Sequence, residues 1–267
     1  MSFSIVIPSR FGSTRLEGKA LLDIAGKPMV QRVYEQSCLS DADEVLVATD
    51  DSRIADAVNA FGGQVVMTSD KHPSGTDRLE EVVTKKAYAK DHVVVNVQGD
   101  EPLIPPEVIN QVAANLLSNA NAGIATLCER ITDQSEIVNS NAVKVVRNQH
   151  NFAQLFSRAP IPWLRNWPSL DFIGSDSHLD SSFAMSPDDA IQWFRHIGIY
   201  AYRVNVLKQF VSWPMSAGEK AESLEQLRAL DNGIAINCEE AKCRLPGGID
   251  TQEDLDRVRA LFKEDER

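Results

Sequence analysis

The sequence predicts an α/β protein, a doubly wound and mostly parallel sheet with a smaller embedded lobe. Three observations carry this. Short apolar runs at residues 3–7, 44–49 and 93–97 read as strands covered on both faces. Segments between them place apolar residues at helical spacing. Pro8, Gly62-Gly63 and Gly99 stand at the ends of these segments as turn or stop signals.

The elements follow in order. Residues 3–7 form a first strand ended by Pro8, and a polar loop runs to about Lys27. Residues 29–38 read as a helix, and 44–49 (EVLVAT) as the next strand, followed by Asp50-Asp51. Ile54, Ala55, Val58 and Phe61 form one helical stripe over 52–61, stopped by Gly62-Gly63. A short strand is expected at 64–67. A helix is expected over 77–88, opened by Asp77 with Glu80 three residues on. The strand at 93–97 runs into Gln98-Gly99-Asp100-Glu101-Pro102. A helix over 106–117 and a strand over 123–127 complete the alternating half.

The second half is less regular. Strands are expected at 142–146, 153–156 and 197–202, and a short helix at 206–210. Leu224, Leu227 and Leu230 make a stripe on a helix over 222–230. Leu255, Val258, Leu261 and Phe262 do the same over 252–262, with Thr251 and Asp254 as an N-terminal cap. The Ser-, Asp- and Pro-rich stretch between Trp163 and Trp193 reads as a functional lid or a disordered loop. We expect one α/β domain over residues 1–267, with the lobe within about 130–215.

The chain has 267 residues, 43% hydrophobic and 24% charged, which is ordinary globular composition. No apolar run is long enough to span a membrane, and the start carries no signal-peptide pattern. Cys38, Cys128, Cys238 and Cys243 form no CxxC and no zinc spacing. A cytoplasmic protein without membrane insertion is expected. A net charge of −11 argues against a nucleic-acid partner. It leaves room for a small anion, because Arg10, Arg15, Lys19, Lys27 and Arg32 cluster near the start against Glu17 and Asp23.

That cluster sits in the loop after the first strand, Pro8-Ser9-Arg10-Phe11-Gly12-Ser13-Thr14-Arg15-Leu16-Glu17-Gly18-Lys19. A small-residue loop there can offer backbone N–H groups to phosphate, and its cations add charge-assisted contacts. It is neither a Walker A loop nor GxGxxG. The bland alternative is a solvated basic loop. Asp100, at the end of a buried strand, is a natural magnesium ligand or else a turn residue. Asp250, in Gly247-Gly248-Ile249-Asp250-Thr251, has a strong alternative as a helix cap. Ser74-Gly75-Thr76-Asp77-Arg78 could hydrogen-bond a base or an anion. His196 could touch substrate or be a satisfied structural histidine, and Glu225-Gln226 could be a solvent face. No Ser-His-Asp or Cys-His arrangement is legible. A basic loop with carboxylates fits direct phosphoryl or nucleotidyl transfer.

Taken together, the segments IVIPSRFGSTRLEGKALLDIAGKPM, VATDDSRIADAV, SGTDRLEEV, VVNVQGDEPLIP, NAVKVV, FSRAPIPW, RHIGIYAYR, SLEQLRAL and GGIDTQEDLDRVR resemble the 3-deoxy-manno-octulosonate cytidylyltransferase family, in order and over nearly the whole chain. The resemblance implies a fold of the nucleotide-diphospho-sugar transferase type. It implies that CTP and the acidic 3-deoxy sugar give a CMP-sugar and pyrophosphate, for lipopolysaccharide biosynthesis. Arg10, Gly12, Ser13, Arg15 and Lys19 would then hold the triphosphate, and Ser74 and Arg78 would sit near the cytosine. Asp100 and Asp250 would bind Mg²⁺, with Lys19 completing the catalytic set. Gln98, His196, Tyr200, Glu225 and Gln226 would line the sugar site. The family resemblance also implies a homodimer.

The chain departs from the family pattern in places. Glu17 and Ala20 stand where the family usually carries proline. Glu17 should weaken anion binding unless it points away or pairs with a cation. The segment Met215-Ser216-Ala217-Gly218-Glu219-Lys220-Ala221 also differs, and the stretch between Trp163 and Trp193 is longer than usual. The alternatives are a related acidic sugar, such as the 8-amino analogue or a capsule acid, or a catalytically weak nucleotide-binding homologue.

Overall fold

The structure is a computed structural model, and it describes residues 2–12, 16–165 and 192–265. Ser13, Arg15 and nearly all of the stretch between Trp163 and Trp193 lie outside the described residues. The chain forms two compact units. The first contains residues 1–125, 199–212 and 242–267, and the second 126–198 and 213–241.

In the first unit, β1 (Phe3–Pro8), β4 (Glu44–Thr49), β5 (Val65–Met67) and β6 (Val93–Asn96) form a parallel core. β1 pairs with both β4 and β6, and β4 pairs with β5. The end of β10 (Phe194–Arg203) runs antiparallel to β6, with Tyr200 opposite Asn96. Ile5, Val6, Ile7, Val47, Val94 and Val95 are all fully buried. A strand can be apolar on both faces only where both faces are covered. α1 (Met29–Cys38) packs on β1 and β4 beside α4 (Pro106–Ser118), and α3 (Gly75–Lys85) packs on the same strands beside α6 (Val204–Phe210). α2 (Ser52–Ala60) lies on β4 and β5, capped by Asp51, whose carboxylate accepts from Arg53 N at 2.9 Å. α9 (Gln252–Asp265) packs against a two-residue ribbon, β2 (Asp23–Ile24) with β3 (Lys27–Pro28).

In the second unit, β8 (Lys144–Arg147) runs antiparallel to both β9 (Ala153–Ser157) and the start of β10. β7 (Ile124–Arg130), which begins in the first unit, lies beside β11 (Ile236–Glu240). Ile131, Ile137 of α5 (Gln134–Val138) and Trp193 form a small core with Leu164 against it. Lys144 is buried, and its ammonium donates to the carbonyls of Asn139, Ala142 and Arg158 at 2.7, 2.6 and 2.7 Å. Three acceptors for three N–H bonds satisfy a buried ammonium.

Three expectations are corrected. The helix expected at 77–88 runs Gly75–Lys85. Its cap is Ser74, whose hydroxyl accepts from Asp77 N, so Asp77 is an interior partner of the cap. The single helix expected at 222–230 is two, α7 (Ala217–Glu222) and α8 (Gln226–Asp231), broken where Ser223 takes a positive φ of 54°. The leucine stripe marks a buried side but does not report this break. β11, α5 and the β2–β3 ribbon had no expected counterpart, being short and without a long periodic signal.

Candidate active site

In the first unit, the carboxyl ends of β1, β4 and β6 are where a parallel sheet places its ligands. The exits of β1 and β6 are drawn close together. Val97 N donates to Val6 O at 3.2 Å, and a Cβ on Gly99 would stand 2.8 Å from Pro8 O and 3.0 Å from Ser9 Oγ. Glycine is required there by contact, not by backbone angle.

Asp100 follows at once. Its Oδ2 accepts from Lys19 Nζ at 2.7 Å, and Asp250 Oδ1 accepts from the same nitrogen at 3.0 Å. Lys19 opens a short 3₁₀ turn, Lys19–Leu21, and Gly18 before it has a φ of +63°, where a Cβ would stand 3.0 Å from the Phe11 ring. Asp250 is brought in through the backbone, where Ile249 N donates to Asp100 O at 2.9 Å. Thr251 takes the capping role at α9: its hydroxyl accepts from Asp254 N, and Asp254 accepts from Asp250 N, Thr251 N and the Thr251 hydroxyl. The Asp250 carboxylate is thereby left facing Lys19. The Thr251 hydroxyl, with the neighbouring N–H groups, holds the Asp254 carboxyl down to about 2. Beside Asp100, burial and the Asp100 charge push the Glu101 carboxyl up to about 8, and its Oε2 is buried without a hydrogen-bond partner.

Two carboxylates that converge on one cation fit a hard divalent ion whose other ligands are water and phosphate oxygens. Lys19 Nζ marks the point that both can reach. Among the described residues no group of three or more His, Cys, Asp or Glu gathers for a metal.

Arg78, on α3, is buried. Its guanidinium donates to Asp50 Oδ2 at 2.9 Å and to the Thr68 hydroxyl. Neither partner was singled out in the sequence, although Asp50 directly follows the strand EVLVAT. Arg10 and Gly12 are exposed, and a Cβ on Gly12 would meet nothing among the described residues within 4 Å.

Glu17 is exposed, and its charge acts on Arg53 only from a distance. Arg53 stacks over Phe11, 3.3 Å from the ring centroid, and grips Asp51 with two hydrogen bonds of 2.9 and 2.6 Å. The Asp51 hydrogen bonds first, and the Glu17 charge behind them, hold the Arg53 pKa above its ordinary value. Ala20, the other departure, is buried.

The five residues that the resemblance gives to a sugar fall into both units. In the first, Gln98 follows β6, and Tyr200 stacks on Tyr202 with centroids 5.7 Å apart. In the second, His196 Nε2 meets the Thr126 hydroxyl at 2.9 Å, and Phe156 lies edge-on to the ring. The same hydroxyl lies 3.0 Å from Ile197 O. Burial pulls the His196 pKa down to about 3, which keeps the imidazole neutral. Glu225 precedes α8, and Gln226 is its buried first residue. Both follow α7, which is fixed by the Ser216–Glu219 capping box and by Glu222, whose carboxylate accepts from Ser157 Oγ at 2.7 Å and Arg158 N at 2.6 Å.

Residues 4–237 match the family model described as Cytidylyltransferase. The chain is 55% identical to the 3-deoxy-manno-octulosonate cytidylyltransferase of Saccharophagus degradans, over 98% of this chain and 99% of that protein. It is 53% identical to the Photobacterium profundum protein of the same name, over 98% and 100%. A solved CMP:2-keto-3-deoxy-manno-octonic acid synthetase in complex with CTP superposes with a TM-score of 0.85 at 42% identity, covering 99% of each chain. A cytidylyltransferase from Leptospira borgpetersenii, at 16% identity and a TM-score of 0.61, shares the fold.

Proposed function

The chain belongs to the 3-deoxy-manno-octulosonate cytidylyltransferase family, and from that premise we propose that it joins CTP to 3-deoxy-manno-octulosonate, giving CMP-3-deoxy-manno-octulosonate for lipopolysaccharide synthesis. The C2 hydroxyl oxygen of the sugar forms a bond to the α-phosphorus. The bond from that phosphorus to the bridging oxygen of the β-phosphate breaks, and pyrophosphate leaves with its electron pair. The hydroxyl proton passes to solvent. The observation that carries the reading is Lys19 held between Asp100 and Asp250 at the end of a basic loop.

In this reading Arg10, Gly12, Ser13, Arg15 and Lys19 bind the triphosphate, and Ser74 and Arg78 sit near the cytosine. Arg78 is fixed by Asp50 and Thr68, so it can present a rigid edge rather than a mobile one. Asp100 and Asp250 are the residues that would hold Mg²⁺, which when bound neutralises phosphate charge and polarises the phosphoryl oxygens. Lys19 supplies positive charge to the same phosphates, so the protein works mainly by positioning and charge neutralisation. Gln98 and Tyr200 are the first unit's candidates for the sugar. His196, Glu225 and Gln226 are the second's, with a neutral His196 suited to hydrogen bonding rather than to charge pairing. A cytoplasmic homodimer accompanies the proposal through the family resemblance. No helix among the described residues is long and apolar enough to cross a membrane.

The test is pyrophosphate release from CTP and Mg²⁺ on addition of 3-deoxy-manno-octulosonate. Release that requires this sugar supports the reading. CTP binding without release for any sugar acid would favour a nucleotide-binding homologue.

A further inference from the structure

Lys19 stands where the two carboxylates would otherwise share a divalent ion. Its ammonium lies 2.7 Å from Asp100 Oδ2 and 3.0 Å from Asp250 Oδ1, and its side chain is 14% exposed against 33% and 52% for the two carboxylates. The pair is fixed from behind, by Ile249 N on Asp100 O and by the close packing of Gly248, where a Cβ would lie 3.4 Å from Asp100 O. That backbone contact holds the two Cα positions, and so the two carboxylates, in reach of one cation. Two like charges held this close need a cation, and the chain supplies one of its own.

We propose that Lys19 is the built-in counter-ion of the Asp100–Asp250 pair in the nucleotide-free protein and is handed over to the triphosphate when the nucleotide arrives. This deepens the reading above and rests on it. A divalent ion and the ammonium compete for the same oxygens, so the ion binds weakly while Lys19 stays between them. The triphosphate offers Lys19 anionic oxygens in exchange, and the carboxylates are then released to the ion. Metal and nucleotide therefore bind cooperatively, and linkage makes the coupling equal in both directions.

The experiment titrates Mn²⁺ into the full chain without nucleotide and follows the free ion by electron paramagnetic resonance, for wild type, Lys19→Met, Lys19→Arg and Lys19→Met/Asp100→Asn. Lys19→Met is expected to bind Mn²⁺ about tenfold more tightly than wild type, a coupling of ordinary size. Lys19→Arg should remain near wild type, and Asp100→Asn should abolish the gain. Unchanged or weaker binding by Lys19→Met would overturn the proposal. A readout on the wild type guards against a variant that folds poorly. Acylation of the Lys19 amine, read by mass spectrometry, should increase when Mn²⁺ is saturating without nucleotide, and unchanged labelling would also overturn it. CTP binding to wild type by calorimetry separates the two levels. If CTP does not bind, the functional reading fails, whereas CTP binding with no Lys19 effect on Mn²⁺ removes this inference alone.

Discussion

Gly99 and Asp100 show that neighbouring residues here do different work. Alanine at Gly99 would place its Cβ 2.8 Å from the Pro8 carbonyl oxygen, and backbone must move to relieve it. We expect Gly99→Ala to lose about 1–3 kcal/mol of stability and to raise the KM for CTP, because the displaced segment leads into the basic loop. Denaturant melts and initial rates check this. Asp100→Ala should leave the melting temperature near wild type while lowering kcat/KM at least about a hundredfold, the scale of losing a main electrostatic contributor. An active, magnesium-dependent Asp100→Ala protein would contradict the assignment. Glu17→Ala should change the KM for CTP less than about twofold, since Glu17 is exposed, where a single charge contributes little. The residue types of this site were legible because loop cations and strand-end carboxylates are written locally. The Lys19 bridge to Asp250 was not, because it joins positions far apart in the chain, and Asp50 and Thr68 announced no link to Arg78.

At the level of elements, α7 and α8 are tied together across their break by a buried pair. Arg228 Nε donates to Glu219 Oε2 at 2.8 Å, its other terminus reaches Oε1, and Glu219 also closes the capping box with Ser216. Glu219→Ala should cost about 3–5 kcal/mol by stranding the guanidinium, and a joint replacement of both residues by apolar ones should cost much less. Chemical denaturation of the three proteins decides this. The cap of α9 gives a pH prediction. Asp254 is held from 3.8 down to about 2, so the folded state binds fewer protons than the unfolded chain in that interval. Its stabilisation is complete above about 4 and is lost as pH falls toward 2. Asp254→Asn should remove that part of the acid slope in melts recorded across this range. The capping signal at Thr251 and Asp254 was legible because it spans four residues. The break at Ser223 was not, because a positive φ at serine leaves no mark in the spacing of the leucines.

At the scale of the whole molecule, the parallel part of the sheet was readable because strands covered on both faces read as near-continuous apolar runs. β1, β4 and β6 are of that kind. β8 and β9 are partly open, and β8's second partner, the start of β10, lies far along the chain, so that pairing had no local signature. Phosphoryl or nucleotidyl transfer was legible because loop cations follow the first strand and Asp100 follows β6 closely. The cytidylyl group and the sugar were named by the family resemblance, because the candidate sugar residues are single positions on separate elements. The most direct measurement is pyrophosphate release from CTP and Mg²⁺, with 3-deoxy-manno-octulosonate, its 8-amino analogue and sialic acid compared side by side. Release with 3-deoxy-manno-octulosonate, at a kcat/KM above that for the other two, is the predicted result. Release with another acid alone, or none with any of the three while CTP still binds, would contradict it.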